Sequence, residues 1–241
     1  MRTLVIGDIH GKLDSLNGVL ETASYNAAID RIICIGDYVD GGPHSYETVE
    51  LLIDLNLRSE DNNIYIMGNH DFTFLQILEY DFEAFRDRRA IEEMQWEWYT
   101  GGGMATYDSY IKRSDEEIIR HREQFFKKLK YYYEENNKLW VHAGYDYTMT
   151  IEESFLHDAD NLLWDRQLYQ SSINDHGAKE KSKQFGPYEK IYIGHTPTFL
   201  YGDITPRRRA NVINVDQGCK VNGILTAWID ETDEWFQFIN K

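Results

Sequence analysis

A layered α/β fold is predicted for this 241-residue chain by three observations. Four short runs rich in Val, Ile, Leu and Tyr, "TLVIGDIHG", "RIICIGDYVDGG", "NNIYIMGNHD" and "KIYIGHTPT", each pass from apolar residues through Gly into polar ones, the layout of a buried strand that ends in a functional loop. The first two are followed by segments with apolar residues at helical spacing, so strand, loop, helix and strand succeed one another. The last third carries three strand-like runs with no helical pattern between them. That points to a mixed sheet, or to two sheets packed together, rather than to a purely parallel one.

In chain order, "TLVIGD" is the first strand, and Leu13, Leu16 and Leu20 in "KLDSLNGVLETA" give the first helix an apolar stripe. "RIICIG" is the second strand, followed by a helix with Val49, Leu52 and Ile53 on one face; "NNIYIMG" is the third strand. An aromatic and charged segment follows, its helical period broken by Gly101, Gly102 and Gly103. It predicts a helical insertion over about 72–137. "KLWVHAG" is a fifth strand ending in the same way, and the polar stretch over about 148–189 predicts a loop-rich insertion. After "KIYIGHT" come "NVINVDQG", "GILTAWIDE" and "EWFQFIN" as consecutive strands. No Pro/Gly/Ser linker, internal repeat or low-complexity tract divides the chain, so one domain over 1–241 is predicted.

At 42% hydrophobic residues the chain can bury one sizeable core. Its 25 Lys+Arg against 41 Asp+Glu leave a formal charge of −16. Such a balance disfavours binding to nucleic acid or to an anionic membrane surface. An acidic protein can still act on phosphates if bound cations reverse the local sign. Cys34 and Cys219 are the only cysteines, and Cys34 lies inside an apolar run, which argues for core thiols in a reducing compartment rather than a disulfide framework. With no leader-like segment and no apolar span of membrane length, a cytoplasmic location is expected.

Asp, His and Asn concentrate where these strands end: Asp8 and His10 in "GDIHG", Asp37 and Asp40 in "GDYVDGG", Asn69, His70 and Asp71 in "GNHD", His142 in "VHAG" and His195 in "IGHT". Loops at the carboxyl ends of strands converge in an α/β sheet, so these residues would meet in one crevice. Hard oxygen and imidazole ligands suit divalent ions such as Mn, Fe or Zn. Asp8 and His10 would hold one ion, Asn69, His142 and His195 a second, and Asp37 would bridge them through its two oxygens. Any one loop of this kind is commonly structural, because Gly and Asp are ordinary turn residues. Five in one chain, each with a ligand, are not.

The ordered set "GDIHG", "GDYVDGG", "GNHD", "VHAG" and "GHT" resembles the calcineurin-like metallophosphoesterase superfamily. Within it the likeness is to the PPP branch, which includes serine/threonine protein phosphatases, phage-type protein phosphatases and symmetrical bis(5′-nucleosyl)-tetraphosphatases. "LLWDR" and "GGGMATYDSY" resemble the last two groups more than the eukaryotic catalytic subunits. The resemblance implies a four-layered α/β/β/α sandwich with a helical insertion. It also implies a dinuclear centre in which Asp8, His10 and Asp37 bind one metal while Asp37, Asn69, His142 and His195 bind the other, with Mn the first choice and Fe or Zn alternatives.

Two cations about 3.5 to 4 Å apart acidify a bridging water and hold phosphoryl oxygens for in-line attack, with no covalent phosphoenzyme. His70 would protonate the leaving alkoxide, with Asp40 orienting it and favouring its charged form. Asn69 and Arg166 would contact the substrate phosphate. The expected activity is hydrolysis of phosphoserine or phosphothreonine monoesters. Symmetrical hydrolysis of dinucleoside tetraphosphates is the alternative enzyme reading, and a catalytically silent binding module the non-enzyme one. The partner is a phosphoprotein or a nucleotide phosphoester; the oligomeric state is open.

One departure stands out. Many PPP phosphatases carry a phosphate-clamping arginine after the second aspartate of "GDYVDGG", where this chain has Gly41. His44 and the run Arg207, Arg208 and Arg209 are conceivable substitutes, although such a basic run is more often a solvated loop. The glycine run from Gly101 either brings backbone N–H groups to the substrate or lets the helical segment turn, and Thr106 beside it is a weak candidate. Trp96, Trp98, Tyr99 and the triplet Tyr131, Tyr132 and Tyr133 are candidates for stacking on a base, against the commoner role of aromatics at helical spacing as core.

Overall fold

The computed structural model describes residues 1–174 and 184–240. The first three strand runs form β1 (Arg2–Ile6), β2 (Asp30–Cys34) and β3 (Ile64–Tyr65), joined by helices α1 (Leu13–Thr22) and α2 (Ser45–Arg58). Next come α3 (Asn69–Tyr80), α4 (Phe82–Phe85), α5 (Arg88–Met94) and α6 (Trp96–Trp98), a wide helical turn over Tyr99–Gly103, then α7 (Met104–Tyr110) and α8 (Asp115–Gln124). β4 (Tyr132–Glu135) and β5 (Lys138–Val141) precede α9 (Ile151–His157), α10 (Asn161–Trp164) and α11 (Gln167–Asn174). β6 (Lys190–Ile193), β7 (Arg207–Arg209) and β8 (Val212–Asn214) follow, then α12 (Cys219–Asn222), β9 (Ile224–Ile229) and β10 (Trp235–Ile239).

The strands make two five-stranded mixed sheets, ordered β10-β9-β1-β2-β3 and β4-β5-β6-β8-β7. In the first, β1, β2 and β3 run parallel and β9 and β10 are antiparallel neighbours. In the second, β5, β6 and β8 run parallel between antiparallel edge strands. Strand alternation sorts the side chains into layers. Val5, Ile33, Trp140, Tyr192 and Ile213 face inward and fill the space between the sheets, where Trp140 and Tyr192 stack with ring centroids 5.5 Å apart. Their neighbours Leu4, Ile6, Ile32 and Cys34 point outward against Leu16 and Val19 of α1 and Val49 and Leu52 of α2. On the far side Leu139, Val141, Ile191 and Ile193 meet Ile151, Leu162 and Leu168. Helix, sheet, sheet and helix layers follow, as the resemblance implies.

Two boundaries differ from expectation. The helical segment stops short of residue 137: Tyr132–Glu135 is strand β4, pairing antiparallel with β5. Aromatic strand propensity at Tyr131–Tyr133 outweighs the helical pattern before it once a partner strand is available. Among its described residues the stretch 148–189 is not mainly loop; it holds α9, α10 and α11, while residues 175–183 of it lie outside the described residues. Thr150 starts α9 with a capping box, its hydroxyl accepting from Glu153 N and the Glu153 carboxylate accepting from Thr150 N. These helices are too short to print a clear period in a polar sequence. The closing strands are interrupted only by the single turn α12. Cys34 and Cys219 are buried free thiols, and no helix among the described residues is long and apolar enough to cross a membrane.

Candidate metal centre

The five loops expected to converge do so. Asp8 and His10 follow β1, Asp37 and Asp40 follow β2, Asn69 and His70 open α3, His142 follows β5 and His195 follows β6. All except His70 are buried. His10, Asp37, Asp40 and His195 have φ of 52°, 54°, 69° and 60°, the left-handed region that non-glycine residues avoid. Each such residue costs on the order of 1–3 kcal/mol, so surrounding contacts must hold it there. Asp71 provides much of that hold, its carboxylate accepting from the backbone N–H groups of Asp37, Tyr38 and Gly68 at 2.7, 2.9 and 2.9 Å. Glycine lets the carboxylates pack against backbone: a Cβ on Gly68 would lie 2.1 Å from Asp37 Oδ1, and one on Gly194 2.1 Å from Asp8 Oδ1.

The donor atoms face one another. Asp37 Oδ2 lies 3.5 Å from His10 Nε2 and Asp37 Oδ1 lies 3.5 Å from His142 Nε2, so its two oxygens look to opposite sides of the cluster. Asn69 Oδ1 is 3.1 Å from His142 Nε2 and 3.0 Å from His195 Nδ1. The Nδ1 of His10 contacts the carbonyls of Val39 and Asp40, and that of His142 the carbonyl of Ile35. A carbonyl only accepts, so both imidazoles carry their proton on Nδ1 and turn a bare Nε2 lone pair inward.

Electrostatics agree with that reading. Burial pushes His10 and His195 down to about 3 and His142 below its ordinary value, which keeps these imidazoles neutral, as metal ligation requires. Burial, then Asp216 and Asp37, push Asp8 well above the carboxylate range; burial also pushes Asp216 up to about 7. Asp8 Oδ1 and His195 Nε2 have no hydrogen-bond partner. Buried carboxylates that resist ionisation, beside bare imidazole nitrogens and orphaned acceptors, fit divalent cations.

His70 is built differently. Its Nδ1 meets a carboxylate, Asp40 Oδ2 at 2.7 Å, and Asp40 is fully buried. Asp40 also accepts from Trp98 Nε1 at 2.9 Å and from Thr106 Oγ1 at 2.7 Å, and Thr106 Oγ1 accepts from Asp40 N at 2.8 Å. Burial works against a charged His70, but Asp37 and Asp40 outweigh it and raise the imidazole above its ordinary value. The ring stands edge-on to His10 with centroids 5.0 Å apart.

Beyond this cluster of five strand-end loops, the chain as a whole is similar to known proteins. The family model for calcineurin-like phosphoesterases matches residues 1–237. The chain belongs to this family. A symmetrical bis(5′-nucleosyl)-tetraphosphatase from Pseudomonas syringae pv. tomato is 25% identical over 186 residues, 76% of this chain and 54% of that protein. The enzyme of the same name from Pseudomonas fluorescens is 29% identical over 145 residues, 60% of this chain and 42% of that protein. The chain therefore spans about half the length, or less, of the curated relatives it matches. Among solved structures, a protein serine/threonine phosphatase from Saccharomyces cerevisiae superposes with a TM-score of 0.62 at 17% identity, covering 100% of this chain and 80% of that one. A cold-active protein-tyrosine phosphatase from a Shewanella species does so with 0.59 at 16%, again over 100% and 80%. At those identities the likeness is one of fold.

This calcineurin-like phosphoesterase opens its centre to solvent through a cleft of about 250 Å³. Arg166 lines it, donating to Thr196 Oγ1 at 3.1 Å and having no carboxylate partner among the described residues. The expected substitutes at Gly41 lie elsewhere. His44 sits 4.0 Å from Glu47, and Arg207 and Arg208 of edge strand β7 pair with Asp203 and Asp233. What covers Gly41 is Lys220 of α12, also in the cleft wall. Sequence reasoning missed it, and missed Asp216, although "NVDQG" repeats the layout of an apolar run, an aspartate and a glycine. Thr106 proves a direct partner of Asp40 rather than a marginal residue. Trp98 and Tyr99 are buried, and Tyr131, Tyr132 and Tyr133 pack on Phe155 and Trp140, so none of these five presents a face to a ligand in the cleft. Trp96 is exposed outside the cleft lining, whereas Trp164, 52% exposed, is at its rim.

Proposed function

We propose that this chain is a dinuclear-metal phosphoesterase that cleaves the phosphate chain of a nucleotide, with dinucleoside tetraphosphate as the model substrate. The observation that carries the hydrolytic reading is the Asp40–His70 pair, 2.7 Å across, set against the ligand cluster. Asp8, His10 and Asp37 would hold one divalent ion and Asp37, Asn69, His142 and His195 a second, Mn being the first choice and Fe or Zn the alternatives. Bound there, such ions supply Lewis acidity toward the phosphoryl oxygens and an activated water.

The chain's own groups do the rest. Arg166 would pair with a non-bridging phosphate oxygen, a charge-assisted contact for which it has no competing carboxylate among the described residues. Asp40 fixes His70 with Nδ1–H toward the carboxylate, so Nε2 carries the transferable proton into the cleft. As water adds to phosphorus and the bond to the leaving oxygen breaks, that proton passes to the leaving oxygen and the water's own proton leaves to solvent. Trp98 and Thr106 keep Asp40 from turning away.

Two features favour a nucleotide over phosphoserine or phosphothreonine in a protein. The curated relatives are symmetrical tetraphosphatases, and the exposed ring of Trp164 at the rim offers a base a stacking face. The test is kcat/KM of the Mn-loaded protein on diadenosine tetraphosphate and on a phosphoserine peptide under the same conditions. Preference for the dinucleotide, with two diphosphate products, is expected; preference for the peptide would return the function to a protein phosphatase.

A further inference from the structure

We infer that Lys220 binds the leaving phosphate, forming a diphosphate-specific subsite beside His70; this rests on the nucleotide reading above.

Lys220 stands at the end of a short path that two glycines keep clear. A Cβ on Gly41 would come within 2.9 Å of its Cγ, and one on Gly102 within 3.2 Å of its Nζ. A side chain at Gly41 would push on the lysine stem, and one at Gly102 would crowd its ammonium end. The two glycines are tied to each other by Gly41 N donating to Gly102 O at 3.1 Å, with φ of 117° and 124°. The wide turn Tyr99–Gly103 is thereby fixed against the β2 loop. Its Gly101 carbonyl accepts from Lys220 Nζ at 2.9 Å. The ammonium is aimed by backbone, not by a carboxylate: no ion pair to Lys220 exists among the described residues.

Its other neighbour is His70 Nε2, 3.3 Å away. Both His70 and Lys220 line the cleft and open on the same space, and an ammonium can only donate, so a group bound there must bring an acceptor to it. The group that reaches that space is the leaving oxygen, since His70 is its acid. A serine alkoxide offers one oxygen and becomes a neutral alcohol on protonation, leaving the ammonium with little to bind. A leaving diphosphate keeps further anionic oxygens after protonation, and a lysine is a compact point charge suited to them. Arg166, across the cleft, would serve the phosphate under attack, and Lys220 the one that departs.

The test is calorimetric binding of inorganic diphosphate and of orthophosphate to the Mn-loaded protein and to its Lys220→Met and Lys220→Arg variants. Methionine keeps a stem of similar bulk over Gly41 and removes only the charge. Wild type should prefer diphosphate, and Lys220→Met should cut that preference by about tenfold or more, the range of a charge-assisted hydrogen bond; Lys220→Arg should restore much of it. No diphosphate preference in wild type, or equal weakening of both anions, overturns the inference. Turnover of diadenosine tetraphosphate by wild type is scored separately. Its absence with a Lys220-dependent diphosphate preference would sink the substrate reading and leave the subsite; its presence without that preference would do the reverse.

Discussion

On one side of the cleft His142 and His195 are buried beside Asn69; on the other His70 leans on Asp40. All three are histidines at the ends of strand loops, yet burial drives the first two down while two carboxylates drive the third up. The difference lies in what the remaining ring nitrogen meets. A carbonyl behind Nδ1, as Ile35 provides for His142, fixes a tautomer without rewarding charge. A fully buried carboxylate behind Nδ1 rewards the imidazolium. The same residue type is thus fitted to offer a lone pair or a proton according to its second partner.

Breaking the ligand side should have the largest effect. His142→Ala removes an inward Nε2 that lies 3.5 Å from Asp37 Oδ1 and 3.1 Å from Asn69 Oδ1. Metal affinity should fall by more than about 100-fold, beyond what loss of an outer hydrogen-bond partner costs. Elemental analysis of the purified variant, alongside a circular dichroism spectrum to establish folding, checks this. A folded variant with a full metal complement would remove His142 from the ligand set.

Breaking the acid side should act on rate alone. His70→Asn should lower kcat by about 10²–10⁴-fold, the usual worth of a positioned general acid, with metal content unchanged. If the variant also arrives without metal, the two sides are not functionally distinct and His70 is a ligand after all. Its ring nitrogens do lie near those of His10 and the Asp37 oxygens, so the experiment discriminates between real alternatives.

The two sides also differ in how far the sequence reveals them. The ligand side is legible because each residue lies just after an apolar run, with a Gly within a few positions, a local pattern that needs only the general rule that strand ends converge. The inter-sheet layer is less legible, since "TLVIG" and "KLWVH" are continuous apolar runs and only the fold sorts Val5 and Trp140 from their neighbours. The supports of the acid side are not local. Trp98 reads as a core aromatic, and in part it is one, stacked on Phe74 at 5.9 Å; only the fold brings its indole N–H to Asp40. Lys220 looks like a surface lysine in "GCKVNG", and a left-handed Gly218 and Gly223 on either side of α12 turn it inward. Contacts such as Trp98 to Asp40 and Lys220 to His70 span long stretches of chain and have no short-range signature.

The smallest effect tests the rule away from any metal. His121 of α8 is fully buried and stacked on Tyr46, with Tyr110 Oη 2.9 Å from Nδ1 and Glu50 Oε1 3.0 Å from Nε2. Its carboxylate partner, Glu50, also accepts from Tyr46 and Arg120, so the arginine competes for the negative charge. Burial accordingly wins and pushes His121 down to about 4, unlike His70, whose carboxylate has no arginine or lysine partner among the described residues. Because the unfolded imidazole takes a proton near 6.5 and the folded one does not until about 4, stability should fall as pH drops from 6.5 toward 4. Glu50, held near 2 against burial by Arg120, Tyr46 and His121, loses its contribution only below its ordinary 4.5, so within this cluster the window from 6.5 to 4.5 is set by the histidine. His121→Gln keeps a donor and an acceptor but cannot titrate. The pH dependence of its unfolding free energy between 6.5 and 4.5 should be flatter than wild type by about 2 kcal/mol. Taking the difference between the two proteins cancels the contributions of Asp8 and Asp216, which oppose it, and of His10, His142 and His195, which act in the same sense, since both proteins share them. Equal slopes would mean that His121 is charged in the fold, and that a carboxylate neighbour suffices for charge even when an arginine shares it.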